Sequence, residues 1–404
     1  MAWLSGWDKR IKITVSNTNI DSDLTHFPLL LTLGTSVGTG NTDVSCIFDE
    51  LQADANRKKI AVTKDDGETE IYVEIEKWDD GNEKAWLWVS KSDLVFSSSG
   101  TTDLYIYYDI DHADNDTYVG DVGGRTEVWD SNFKLVYHCS EATHAQLIDS
   151  TSNNNDSTTN TLDSVAGKIG PGLDGDGTEW ARAAITTIVS DQPANCTISC
   201  WGYVTDQPAT GYIFHNFSTA ASGSNGYLDE VNYTNASSVM SHRHIWAETN
   251  FTWGINNDTM TNAEWYHFAN VLATDVATLY RNAVPYANTA ALGGTNRNWA
   301  ASTGLTLGGN RNASPAGIFK GGLDEVRVSE TNRPVAWIKA DYHGGSDNLV
   351  SWGSEETASV GTNFQINISD SWKAISKAQI NISDSWKAVT KVQININDVW
   401  KTIF

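Results

Sequence analysis

Glu74 and Glu76 are the two side chains in this 404-residue chain whose spacing fits acid and base chemistry. Both lie in the run EIYVEIEKWD. Two residues apart on a strand, they share one face at about 7 Å, which overlaps the carboxylate separations used in glycoside hydrolysis. The plainer expectation is a strand with one solvated face carrying both acids. His242 and His244 also share a strand face, but two imidazoles without a nearby cysteine or paired carboxylate do not define a zinc site. Asp149, Asp174, Asp176, Asp324 and Glu325 are hard oxygen donors suited to calcium, with Asp149, Asp176 and Asp324 as the candidate ligands. The run Asp174-Gly-Asp-Gly is not a twelve-residue calcium loop, and an Asp-Gly turn is the alternative. Tyr212, Trp246, Trp253 and Trp299, set among Asn-rich loops, have the chemistry of a glycan site: aromatic faces for sugar rings, amides for hydroxyls. Tryptophan is equally a core residue. A Gly-x-Ser-x-Gly elbow, a His-Glu-x-x-His helix and a phosphate-cradling glycine loop are all missing, so no catalytic residue and no enzyme is expected.

These residues must be held by β structure. Thr, Ser, Asn and Gly abound, there are 17 tryptophans and 14 tyrosines, only 19% of residues are charged, and few stretches have a helical period. The net charge of −23 argues against nucleic acid, which needs clustered Lys and Arg. No stretch approaches the roughly 18 apolar residues of a membrane span. The start, MAWLSGWDKRIKITV, reads as an amphipathic strand rather than a secretion signal. Cys196 and Cys200 fall roughly 13 Å apart on one strand, too far to bridge, and all four cysteines are expected as buried free thiols.

The expected fold class is all-β: two sandwiches, then a short repeat of hairpins. Residues 1–130 hold strand-like runs at 9–15, 27–33, 71–76, 85–89 and 104–108, separated by turn clusters such as Asp79-Asp80-Gly81-Asn82. Residues 131–345 form the second unit, opening on NFKLVYHCSE and closing on FKGGLDEVRVSETNRPVAWIKADY. In that closing stretch Gly321-Gly322 reads as a turn, Leu323, Val326 and Val328 as a strand, and Val335, Ile338 and Tyr342 as a short helix with Pro334 near its start. Residues 346–363 read as a linker.

The closing stretch resembles that of laminin-G-like, concanavalin-A-type jelly rolls, in which Gly-x-Ile/Leu-Asp-Glu-Val-Arg precedes Arg-x-x-x-Trp-Ile. GKIGPGLDGDGTEWAR, CTISCWGYV, EWYHFANVLATDVATLYRNAVPY and LTLGGN are similar to that family's segments and come in its order. Gly175 departs from it, standing where a bulky residue is usual. The resemblance implies a fold; members bind glycans, bind proteins or act as spacers. EIYVEIEKWDDGNEKAWLWVSKSDLVFSSSGTTDLYIYYD resembles a domain of unknown function in bacterial, archaeal and phage proteins that often precedes laminin-G-like domains.

Residues 364–404 repeat every 14 residues as FQINISDSWKAISK, AQINISDSWKAVTK and VQININDVWKTIF, bringing Trp372, Trp386 and Trp400 into register. Each copy predicts one β-hairpin, and exposed edges suit these tryptophans to assembly. The repeats resemble those of bacteriophage tail and other virion proteins. Together these readings predict a tail or head fibre-like virion component, made in the host cytoplasm without a signal. Its expected partners are other virion subunits, further copies of itself (a trimer being one form), and a host-surface glycan or protein, with no nucleic acid and no membrane insertion. A free or cell-surface lectin or adhesin is the alternative, and a glycoside hydrolase ranks last.

Overall fold

The computed structural model describes residues 2–183, 195–205, 211–217, 229–234, 239–244, 261, 263–274, 276–285, 290–291, 304–309 and 318–358, and six short strands between 365 and 402. For the strands at 211–217, 229–234, 239–244 and 365–402 the description is of the backbone. The chain divides into two compact units, Met1–Glu355 and Glu356–Phe404.

The first part of the larger unit carries β1 (Lys9–Val15), β2 (Leu29–Leu33), helix α1 (Cys46–Leu51), β3 (Ile60–Thr63), β4 (Glu70–Asp79), β5 (Lys84–Ser90), β6 (Thr102–Tyr108) and β7 (Val119–Asp121). There follow β8 (Phe133–Tyr137), β9 (Asp163–Ala166), β10 (Pro171–Asp176), β11 (Asn195–Val204), β12 (Glu264–Ala273), β13 (Val276–Arg281), β14 (Lys320–Ser329), helix α2 (Val335–Gly345) and β15 (Val350–Thr357).

An eight-stranded sheet runs β15-β1-β6-β3-β4-β5-β2, with β7 parallel to β4. Strand β4 belongs to both halves of it: Glu70 and Ile71 pair with β3, and Tyr72 to Asp79 pair with β5. The alternating apolar residues of the two halves, Ile11 and Ile13 from one and Leu31, Val73 and Leu87 from the other, meet in one core. The second sandwich packs a nine-stranded sheet, ordered β9-β10-β14-β11-β12-β13 and then Val284–Pro285, with a six-stranded one that includes Ala181–Ala183 and Gly304–Leu307. Leu173, Ile198, Phe268, Leu323 and Val326 of the larger sheet share a core with Ala181, Leu305 and Leu307 of the smaller. This is the all-β sandwich architecture that the strand spacing predicts, and its second member is the jelly roll that the resemblance implies. All four cysteines are in the thiol form.

Three local expectations change. Gly321 and Gly322 lie inside β14 and do not form a turn. Helix α2 turns Val335 to solvent and buries Trp337, Ile338 and Asp341, with the Trp337 ring edge-on to Phe27 at 4.9 Å. Within the stretch read as a linker, residues 350–357 are a strand beside β1, with Val350 and Trp352 buried. Its glycine, serine and glutamates hid that alternation. In the smaller unit, Gln365–Ile368 pairs with Ser371–Ala374, Gln379–Ile382 with Ser385–Ala388, and Gln393–Ile396 with Val399–Thr402: three hairpins in identical register.

Candidate functional site

Glu74 and Glu76 do not face water. Both are buried, and so are Asp324 and Glu325 of β14. The face of β4 expected to be solvated is instead covered by the second sandwich.

Two irregularities aim these carboxyls. The pairing of β4 with β5 shifts register between Ile75 and Lys77, leaving Glu76 without a partner residue. The pairing of β11 with β14 shifts between Ser199 and Trp201, opposite Arg327 and Asp324, and Glu325 there adopts φ +50°. A bulge inserts a residue and redirects its side chain, which is why bulges recur beside functional sites.

His138, directly after β8, lies among the acids. Its Nδ1 is 2.8 Å from Glu325 Oε1 and 3.6 Å from Glu76 Oε2, and its Nε2 is 3.6 Å from Glu74 Oε2. Trp88 Nε1 donates to Glu76 Oε2 at 2.8 Å, and Trp129 Nε1 to Glu74 Oε2 at 2.5 Å. Arg327 spans Glu325 and Asp341 through two 2.6 Å bonds, and its guanidinium lies 4.3 Å from the centre of the Trp88 ring. Asp341 also meets His267 Nε2 at 3.2 Å.

The electrostatics follow from burial and crowding. Burial and then the Glu325 charge push the carboxyl of Glu76 well above the usual carboxylate range, and the same two causes act on Asp324. Burial opposes the charge on His138, but Glu325, Glu74 and Glu76 overcome it and hold the imidazole well above its ordinary value. For Glu325, burial is outweighed by His138 and Arg327, which draw its carboxyl down. Asp341, against the same burial, is drawn to about 2, chiefly by Arg327. Sealed by tryptophans, the cluster is a buried ionic joint between β4 and β14, the strands that carry the two cores.

The calcium candidates are not brought together. Asp149 organises a loop: its carboxylate accepts from the backbone of Val136, Thr151 and Asn155 and from the Thr151 hydroxyl. Asp176 is exposed and accepts from the Thr178 backbone and hydroxyl. Asp324 Oδ2 accepts from Lys168 N and Ile169 N at 2.7 and 2.8 Å. Among the described residues, the groups of three or more His, Cys, Asp or Glu ligand atoms close enough for one ion are Glu76-His138-Glu325 and His144-Asp163-Glu179, neither of which includes these three aspartates. Trp246, Trp253 and Trp299 lie outside the described residues, as do the side chains of Tyr212, His242 and His244. Trp372, Trp386 and Trp400 occupy equivalent stations opposite Asn367, Asn381 and Asn395.

His138, Arg327, Asp341 and His267 escaped sequence reading. The available signal was a charge inside an apolar strand, as in LDEVRV and FKLVYHC, where an unpaired charge is too costly to bury alone.

A β-sandwich pair whose second member is a jelly roll is the class this fold defines. Residues 176–339 match the family model described as the concanavalin A-like lectin/glucanases superfamily. Among solved structures, the chain is similar to domain 4 of AbnA, an extracellular arabinanase from Geobacillus stearothermophilus, in complex with arabinotriose: 16% identity, TM-score 0.41, covering 52% of this chain and 98% of that one. It is also similar to the binding domain of Paraclostridial Mosquitocidal Protein 1, at 11% identity and TM-score 0.39, covering 52% of each chain. A third likeness is to Trypanosoma rangeli sialidase, at 9% identity and TM-score 0.41, covering 69% of this chain and 45% of that one. The chain thus spans about half the length of the toxin and sialidase structures. No curated protein matches the sequence.

Proposed function

We propose that the chain is a non-enzymatic structural and binding protein of a bacteriophage particle, a tail or head fibre-like component. Its jelly roll offers loops to a host-surface glycan or protein, and its hairpins join it to further copies of itself or to other virion subunits. The observation that carries this reading is the C-terminal repeat. The same hairpin closes three times in the same register, and among the described residues each is a two-stranded sheet with both outer edges unpaired. An isolated hairpin is marginal in water, and free edges invite another chain. The repeating Trp372, Trp386 and Trp400 supply the apolar contact such a partner would cover.

Sedimentation equilibrium of the full chain and of a chain ending at Ala358 tests this. The reading expects an oligomer for the first and a monomer for the second; a full chain that is monomeric overturns it.

The match of residues 176–339 to lectins and glucanases favours one second reading, a free or cell-surface lectin or adhesin. That protein would bind glycan on an array while being absent from any particle. Among the described residues no helix is long and apolar enough to cross a membrane.

A further inference from the structure

We propose that Glu76, His138 and Glu325 form a structural site for one divalent metal ion of the zinc class, pinning β4 of the first sandwich to β14 of the second. The three ligand atoms come from three separate elements and lie within 4.8 Å of one another. Two of their separations are 2.8 and 3.6 Å, both measured from His138 Nδ1. Each of these two separations can be spanned by one ion at the roughly 2.0–2.2 Å bond lengths that zinc makes to nitrogen and carboxylate oxygen.

Independent observations point to an ion at this place. Glu76 Oε1 and Asp324 Oδ1 are buried and make no hydrogen bond. Unsatisfied buried polar atoms are costly, and two in one cluster call for a partner. Glu76 Oε1 is free to close the coordination as the second oxygen of its carboxylate. The surrounding shell is also in place: Glu74 faces the far nitrogen of His138, Trp88 holds Glu76 Oε2, and Arg327 holds the outer oxygen of Glu325. A carboxylate behind a ligating histidine is the usual arrangement for fixing its ring.

Charge agrees. Five buried carboxyls, Glu74, Glu76, Asp324, Glu325 and Asp341, face one guanidinium and two imidazoles. A divalent cation relieves that excess. A nitrogen and carboxylate set selects zinc, manganese or iron(II) over calcium. The rings of Trp88 and Trp129 each lie 5.7 Å from that of His138, and Glu76 lines a cleft of about 340 Å³, together with Asp54, Arg57, Trp78 and Asp121, which gives the ion a way in.

The test uses the full-length chain stripped with EDTA and then dialysed against ZnCl2, with metal counted by plasma mass spectrometry and Tm followed against zinc concentration. The expected result is about one ion per chain and a Tm that climbs with zinc. Both effects should vanish in His138→Gln and persist in His144→Ala, which disables the exposed His144-Asp163-Glu179 group. Where His138→Gln does not fold, cobalt(II) absorption of the unaltered chain decides: visible bands of a low-symmetry nitrogen and oxygen site support the proposal, and the aquo-ion spectrum overturns it. Uptake below a tenth of an ion with no change in Tm, or uptake lost in His144→Ala, also overturns it.

Discussion

Arg333 grips both oxygens of Asp130, Nη1 donating to Oδ2 at 2.6 Å and Nη2 to Oδ1 at 2.8 Å. Asp130 sits just before β8 and Arg333 just before α2, so one bidentate pair ties the start of the second sandwich to the helix that closes it. The guanidinium also lies 4.3 Å from the centre of the Phe133 ring and 4.1 Å from that of Trp337. Both partners are largely buried.

Acid should loosen this pair. Burial opposes the charge on Asp130, but Arg333 outweighs it and holds the carboxyl below its ordinary value. A carboxyl depressed in the folded state contributes stability above its unfolded pKa and loses it as pH falls through the folded one. Asp130→Asn should therefore cost about 3 kcal/mol near pH 7, with the difference from the parent shrinking below about pH 4. Urea unfolding of both chains across that range checks it.

Glu74 is expected to be structural. Its carboxylate accepts from Gly123 N at 2.9 Å and from Trp129 Nε1 at 2.5 Å. Glu74→Ala strands both donors and should cost about 3 kcal/mol by denaturant titration. With Glu74→Gln, any glycosidase turnover found should fall only by the unfolded fraction. A larger fall would restore the acid and base reading of this strand.

Gly321 carries a backbone requirement. Its φ is +146°, and a Cβ there would sit 2.1 Å from the carbonyl oxygen of Tyr203. Gly321→Ala should destabilise the chain by about 2 to 4 kcal/mol, since both conformation and contact forbid a side chain. Gly100→Ala, with no atom within 4 Å of the added carbon, should be nearly neutral and serves as the control in thermal melts.

Much of the fold is legible in residue order. The alternation of Ile11, Ile13 and Val15 marks a strand because a half-buried strand writes a period of two. The repeat at 14 residues likewise announces hairpins that the backbone then forms. The candidate site is less legible, for two physical reasons. Glu76 and Glu325 point inward from bulges, and an inserted residue breaks the rule by which a face is read. Their partner His138 lies about 60 residues from one and about 190 from the other, and local pattern carries no record of a contact made by two sheets packing. Strand β15 was hidden in another way: with Trp352 as its one large side chain, it looks like solvent-facing chain until β1 supplies its neighbour.

The glycan reading rests on side chains in the jelly roll. Single changes of Tyr212, Trp246, Trp253 and Trp299 to Ala should each weaken binding on a glycan array, at least one of them tenfold or more, because a stacked ring supplies much of a sugar's binding energy. Unaltered binding in all four variants would remove those rings from the account.

The central claim is that the chain is a particle component. Its most direct test is immunogold electron microscopy, with an antibody to residues 1–355, on phage particles released from the cell that carries the gene. The account predicts gold at a fixed station on a tail or head appendage of most particles. Particles without gold, from a lysate in which the antibody detects the chain free in solution, would contradict it.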